Sequence, residues 1–253
     1  MPARRIIPCL DVKGGRTVKG VRFENLRDLG DPVAHALRYD AEGADEVCFL
    51  DISASEEQRG TQEGWVRAVA RTLTIPFTVG GGVRSADDAA RLLRLGADKV
   101  ALNTAAVRRP DLVKEAADRV GGQSVVAAVD VKRDPDLGWR VWIQGGKVPT
   151  DLAALPWLRE LERLGAGELL LTSMDRDGTG EGFDLALLRE AARLGIPVIA
   201  SGGAGIEAHF LEALEAGADA VLAATLFHEG TLPIPRLKRF LLDAGQDIRG
   251  EAA

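Results

Sequence analysis

Two aspartates, Asp11 and Asp130, each end an apolar run and open the same tripeptide, Asp-Val-Lys. A carboxylate at the C-terminal end of a buried strand can move protons as general base and general acid, once burial or a neighbour tunes its pKa toward working pH. Either could instead cap a loop or pair with Lys13 or Lys132, but placement at a strand's C-terminal end favours catalysis. Two glycine-rich turns accompany them, Val79-Gly80-Gly81-Gly82-Val83 and Ala200-Ser201-Gly202-Gly203-Ala204-Gly205. Glycine lets backbone N–H groups come close to an anion, and a helix N-terminus behind the turn adds a favourable dipole. Asn103-Thr104 and Ala224-Thr225, each a little further on, add hydroxyl, amide and N–H donors. One such turn would read as a tight chain reversal. Two in matching positions read as two phosphate sites, one formed by the turn 79–83 with Asn103-Thr104, the other by the turn 200–205 with Ala224-Thr225. Asp51 and the run Asp175-Arg176-Asp177-Gly178-Thr179 complete the rim, and the latter's backbone N–H groups would serve the second phosphate. The polar segment 13–20 is expected to be a mobile lid over the mouth, with Lys19 reaching phosphate or a reacting oxygen, or else a solvated loop.

These residues need a frame, and the chain supplies one. Short apolar runs at 6–10, 47–50, 77–79, 100–102, 125–129, 169–172, 198–200 and 221–223 alternate with amphipathic stretches. The runs are continuous rather than alternating, as strands buried on both faces should be. Residues 87–95 carry a helical pattern, with Ser85 as N-cap and Gly96 as stop. Gly-Ala-Asp or a near variant recurs at 43–45, 96–98, 165–167 and 217–219, where a helix ends and a strand begins; its glycine suits the left-handed C-cap. Eight β/α units without a break in composition predict an α/β fold, one closed (β/α)8 TIM barrel forming a single domain over 1–253.

The chain also repeats itself. Residues 75–104 align without a gap on 196–225, 121 residues later, with ten identities in thirty positions. Half-barrels of about 1–121 and 122–253 follow. In a closed ring of eight, the first and fifth strands lie opposite, so Asp11 and Asp130 would face each other across the mouth between the two phosphate sites. At the other end, Arg5, Glu46, Lys99 and Glu168 each precede an apolar run, which suggests a closed ring of ion pairs across the barrel floor. By itself such a ring reads as a structural plug.

Bulk properties narrow the classes. The chain has 253 residues, 46% hydrophobic and 28% charged, with net charge −6. The acidic balance, with a pI near 5.3, argues against nucleic-acid or anionic-membrane binding. No apolar run approaches the roughly 20 residues of a membrane span, and the start lacks a signal-peptide core, so a cytoplasmic location is expected. Cys9 and Cys48 read as buried thiols in a reducing compartment. His35, His209 and His228 show no ligand spacing, so no metal site and no cofactor are expected.

With these residues in view, the chain resembles, from end to end, the cyclase subunits of imidazole glycerol phosphate synthase from histidine biosynthesis. The most specific pieces are Ile7-Pro8-Cys9-Leu10-Asp11-Val12-Lys13, Val18-Lys19-Gly20, Phe77-Thr78-Val79-Gly80-Gly81-Gly82, Asp98-Lys99-Val100, Asn103-Thr104-Ala105, Asp175-Arg176-Asp177-Gly178-Thr179 and Ala200-Ser201-Gly202-Gly203-Ala204-Gly205. The resemblance implies a lyase acting on a phosphoribulosyl aminoimidazole carboxamide ribotide with a phosphate at each end. Ammonia attacks its ketone, the imidazole ring closes and the chain is cleaved. Asp11 and Asp130 then match the acid/base pair and Lys19 the lid lysine. Gly82, Asn103 and Thr104 fall at one phosphate site; Asp177, Gly178, Gly203 and Thr225 fall at the other. The resemblance also implies a glutaminase subunit docked on the floor as a heterodimer. Arg5, Glu46, Lys99 and Glu168 then match the gate through which ammonia passes, and Asp98 belongs to the docking surface. No glutaminase nucleophile is visible in this chain.

Departures are few. Thr225 stands where serine is expected, and Ile206 where a polar residue is common after the second glycine turn. The stretch 134–152 carries no transferable role. Two alternatives stay open: the sister isomerase of the same pathway, also a two-phosphate repeat with two aspartates, and a silent barrel that only binds and activates a glutaminase.

Overall fold

The eight apolar runs form eight parallel strands hydrogen-bonded in a closed ring. The computed structural model describes residues 3–21, 24–52, 54 and 60–249, with the side chains of 19–21 and 24–27 excluded. In chain order the strands are β1 (Arg5–Lys13), β2 (Arg16–Val21), β3 (Glu24–Gly30), β4 (Val47–Asp51), β5 (Phe77–Gly80), β6 (Lys99–Leu102), β7 (Val125–Asp134), β8 (Gly138–Ile143), β9 (Val148–Ala153), β10 (Glu168–Ser173), β11 (Val198–Ser201) and β12 (Ala220–Ala223). Around the ring the order is β1, β4, β5, β6, β7, β10, β11, β12 and back to β1, every pairing parallel. Helices cover the outside, so each strand is buried on both faces. Ile6, Leu10, Phe49, Val79 and Val100 point outward into the helical layer. Ile7, Cys9, Cys48, Ala101, Val126, Leu170, Ile199 and Leu222 fill the interior. Cys9 lies beside Cys48 in the β1–β4 register, both buried and neither in a disulfide.

Two strands overshoot the barrel. β1 continues past Asp11 into an antiparallel pairing with β2, which pairs with β3. β7 does the same past Asp130 with β8, which pairs with β9. The segment 13–20, expected as a loose lid, is therefore largely strand. Thr17 is fully buried and Val18 nearly so, which gives β2 an inner face that a solvated loop would not have. The stretch 134–152 is the matching hairpin on the opposite side of the mouth.

The Gly-Ala-Asp pattern does more than stop helices. Gly43, Gly96, Gly165 and Gly217 all have positive φ, between 81° and 111°, as a left-handed cap requires. The aspartate two residues later then staples the next strand to the one before it. Asp98 N donates to Phe77 O at 3.0 Å while Asp98 Oδ2 accepts from Phe77 N at 2.9 Å. Asp219 makes the same reciprocal pair with Val198, at 2.8 and 3.0 Å. Asp45 makes it with Ile6, at 3.1 and 2.8 Å. At the fourth position Gly167 keeps only the backbone bond, to Val125 O, because a Cβ there would lie 2.3 Å from Gly122 O.

Candidate active site

Where the strands end, their C-terminal tips enclose a cavity of about 1220 Å³, lined by residues from all eight barrel strands or the loops after them. Asp11 and Asp130 both line it, from strands four places apart around a ring of eight, hence on opposite walls. Each sits at the branch point where its strand leaves the parallel barrel for the antiparallel hairpin: Asp11 pairs with Leu50 on one side and Val18 on the other, and Asp130 with Thr172 and Trp142. Strand pairing on both sides fixes the backbone, so the carboxylates are held by the fold rather than by a loop.

Burial pushes the Asp130 pKa up to about 6, against the Asn103 hydrogen bond, with help from the nearby negative charge of Asp177 and further opposition from a Thr172 hydrogen bond. The Asn103 amide donates to Asp130 Oδ2 at 2.9 Å. A carboxyl group poised near 6 can both take and give a proton close to neutral pH. Asn103 thus touches the carboxylate directly, a contact that its reading as a phosphate ligand missed. Thr172 was missed as well. Strand alternation and the β7–β10 register, which pairs Thr172 with Asp130, carry that signal once the strand order is known.

Gly82, Asn103 and Thr104 lie together on one side of the cavity. Asp177, Gly178, Gly203 and Thr225 lie on the other. The two glycine turns have matching backbones, with φ of 87° and 77° at Gly81 and Gly82 and of 90° and 112° at Gly202 and Gly203. No side chain fits at Gly203, where a Cβ would lie 2.1 Å from Gly182 O. The residues that open the short helices behind the turns also match: φ −128°, ψ −97° at Asn103 and φ −120°, ψ −70° at Ala224. Bare N–H groups in paired, preorganised turns suit a phosphate at each end of one ligand. Lys19 lies on β2, but its side chain is outside the described residues.

The floor is about one strand length away. Arg5 pairs with Glu46 at 3.0 Å and with Glu168; Lys99 pairs with Glu46 and Glu168, each at 2.8 Å. The four close a ring of alternating charge, and Thr78 Oγ1 donates to Glu46 at 2.6 Å. Both glutamates are buried and both cations partly exposed, as if the ring were one layer deep. Asp98 lies exposed beside it, its carboxylate committed in part to the Phe77 N–H.

Comparison with known proteins agrees with this arrangement. A family model described as "Histidine biosynthesis protein" matches residues 5–233. The imidazole glycerol phosphate synthase subunit HisF of Myxococcus xanthus is 56% identical over 251 residues, covering 98% of this chain and 99% of that one. The corresponding subunit of Gluconacetobacter diazotrophicus is 55% identical over 246 residues, covering 97% and 95%. With a barrel closed on eight strands and identity of this order along nearly its whole length, the chain belongs to the family of imidazole glycerol phosphate synthase cyclase subunits, enzymes of histidine biosynthesis.

Proposed function

We propose that the mouth holds an aminoimidazole carboxamide ribotide bis-phosphate stretched between the two glycine turns, its ketone lying between Asp11 and Asp130. The observation that carries this reading is the position of two carboxylates on opposite walls, between two turns of matching backbone. Ammonia adds to the ketone carbon, and the oxygen leaves as water after protonation. The new nitrogen then closes on the formimino carbon, expelling the aminoimidazole carboxamide. Each step moves protons on and off nitrogen or oxygen, which is work for two carboxyl groups. Asp130, with its pKa near 6, supplies a proton to the departing oxygen and recovers one from nitrogen. Asp11 serves the opposite face.

The ammonia comes from a glutaminase partner docked on the floor. The Arg5–Glu46–Lys99–Glu168 ring gates its passage, and Asp98 contributes to docking. Above the ring, Ile7, Val126, Leu170, Ile199 and Leu222 give the interior an apolar lining that offers no proton to ammonia. Lys19 closes over the substrate from β2.

The test is absorbance turnover of the purified chain on the bis-phosphate with ammonium as sole nitrogen source. Consumption that requires ammonium is expected. Asp11→Asn and Asp130→Asn should each lower kcat by about 10²–10⁴ with KM little changed. Normal turnover in either variant removes that residue from the mechanism. Conversion of the preceding, unopened intermediate without ammonium would move the assignment to the isomerase.

A further inference from the structure

The two sides of the mouth match in backbone but not in charge. Around Gly82 and Thr104 the cavity wall carries Arg84, Arg108, Arg109 and Lys147. Around Gly203 and Thr225 the charged residues lining the cavity are Asp175 and Asp177, while Arg176, packed against Gly203, is drawn to Glu181 at 3.7 Å. The repeat makes the contrast sharp: displaced by 121 residues, Arg84 meets Gly205, Arg108 meets Glu229 and Arg109 meets Gly230. The positive side is therefore an addition to one half of a duplicated frame.

A near-symmetric mouth poses a problem for a substrate with a phosphate at both ends. Bound backwards, the molecule would satisfy both turns and present the wrong atoms to Asp11 and Asp130. Resting on the two-phosphate reading above, we infer that the cationic wall around Thr104 is the orienting site, capturing one particular phosphate of the substrate and thereby setting its direction. An exposed charge changes affinity by up to about fivefold. Several cations on one side and two carboxylates on the other therefore compound to a preference well above about tenfold.

A second observation points to the same side. Gln144 N donates to Thr104 Oγ1 at 2.9 Å. That bond occupies an acceptor lone pair of the hydroxyl and leaves its O–H to donate to a phosphate oxygen. Gln144 achieves this with φ of 57°, the sole positive φ at a non-glycine residue among those described. Such strain persists where the surroundings hold it. The hairpin tip also packs on Met174, whose Cε would lie 2.7 Å from a Cβ on Gly146. Gln144 is thus a positioning residue for Thr104, and the orienting site is set before substrate arrives.

The experiment is calorimetric titration of the full chain with inorganic phosphate, alongside KM and kcat for the bis-phosphate at low and high salt. The variants are Arg84→Gly/Arg108→Glu/Arg109→Gly, which installs the repeat-mates, the milder Arg108→Gln, Thr104→Val and Thr225→Val. One dominant phosphate site is expected in the parent chain. The triple variant should weaken it by more than about tenfold, raise KM similarly, flatten the salt dependence of KM, and cost kcat no more than about twofold as reversed binding competes. Arg108→Gln should move each quantity part of the way. Thr104→Val should weaken the dominant site, whereas Thr225→Val should spare it and raise KM alone. Two equal phosphate sites, loss of the dominant site in Thr225→Val, or an unchanged KM and phosphate affinity in the arginine variants would overturn the inference while leaving two phosphate sites in place. If neither threonine variant alters phosphate binding or KM, the two-phosphate reading falls and the orienting site with it.

Discussion

Asp130 is held where ionisation costs the fold. Its pKa near 6 lies above the 3.8 of an ordinary aspartate, chiefly because burial disfavours the charged form. Below pH 3.8 the group is protonated in folded and unfolded chains alike, and no penalty arises. As pH rises through 6 the folded protein must ionise it in an unfavourable place, and stability is lost. Asp130→Asn should therefore stabilise the chain at pH 7–8 by about 1–3 kcal/mol, with the gain shrinking to nothing near pH 4. Denaturant unfolding across that range measures it, and a gain that does not depend on pH would refute the cause. The same group, which must start protonated to supply its proton, should set the alkaline limb of kcat/KM. Asn103→Ala removes a bond that holds the pKa down, so the limb should move to higher pH; Asp177→Asn removes a repelling charge, so it should move to lower pH. Opposite shifts would mean that Asp130 does not titrate in that limb. Asp11 and Asp130 were legible in the sequence through their repeated Asp-Val-Lys, whereas the Asn103–Asp130 bond was not, since it arises from β6 and β7 being neighbours in the ring.

Elements repeat across the halves closely enough to be compared as pairs. Ser85 and Ile206, 121 residues apart, are the N-caps of equivalent helices and have nearly the same backbone, φ −144°, ψ 160° and φ −144°, ψ 166°. Ser85 Oγ accepts from Asp88 N at 3.1 Å; Ile206 offers no acceptor and lies 53% exposed. Ile206→Ser should raise stability by about 1 kcal/mol, seen as about 2–4 °C in Tm, and Ser85→Ala should lower it by a similar amount. No gain from Ile206→Ser would mean that the helix start is already satisfied in another way. The eight barrel strands could be read from their apolar runs because burial on both faces leaves a continuous signal. The hairpins could not. Gly14-Gly15 and Gly145-Gly146 look like loop punctuation, and only the burial of Thr17 and Val18, a tertiary fact, turns the first of these segments into strand. The cationic wall escaped notice for a related reason: Arg84, Arg108 and Lys147 are far apart in the chain and meet only at the mouth.

At the scale of the molecule, the barrel is closed at its floor by the ion-pair ring and by the aspartate staples that follow Gly-Ala. The ring could be anticipated from four charged residues standing just before apolar runs, but the staples could not, because their partners are backbone groups of an earlier strand. Asp98 carries both possibilities at once, as a staple through Oδ2 and as an exposed carboxylate at the face where a partner would dock. A stability series separates them. Asp45 is buried, holds Ile6 N and pairs with buried Lys238 at 2.7 Å, so Asp45→Ala strands an amide and an ammonium and should cost about 3–5 kcal/mol. Asp219 holds Val198 N and pairs with Arg4 at 3.0 Å nearer the surface, so Asp219→Ala should cost about 1–2 kcal/mol. Asp98→Ala loses only the Phe77 bond and should cost about 1 kcal/mol. That order, measured by denaturant unfolding of the isolated chain, is expected because burial sets the price of each orphaned group. If Asp98→Ala proves neutral in the isolated chain yet impairs glutamine-driven turnover, the staple is idle at that position and the carboxylate serves the partner alone.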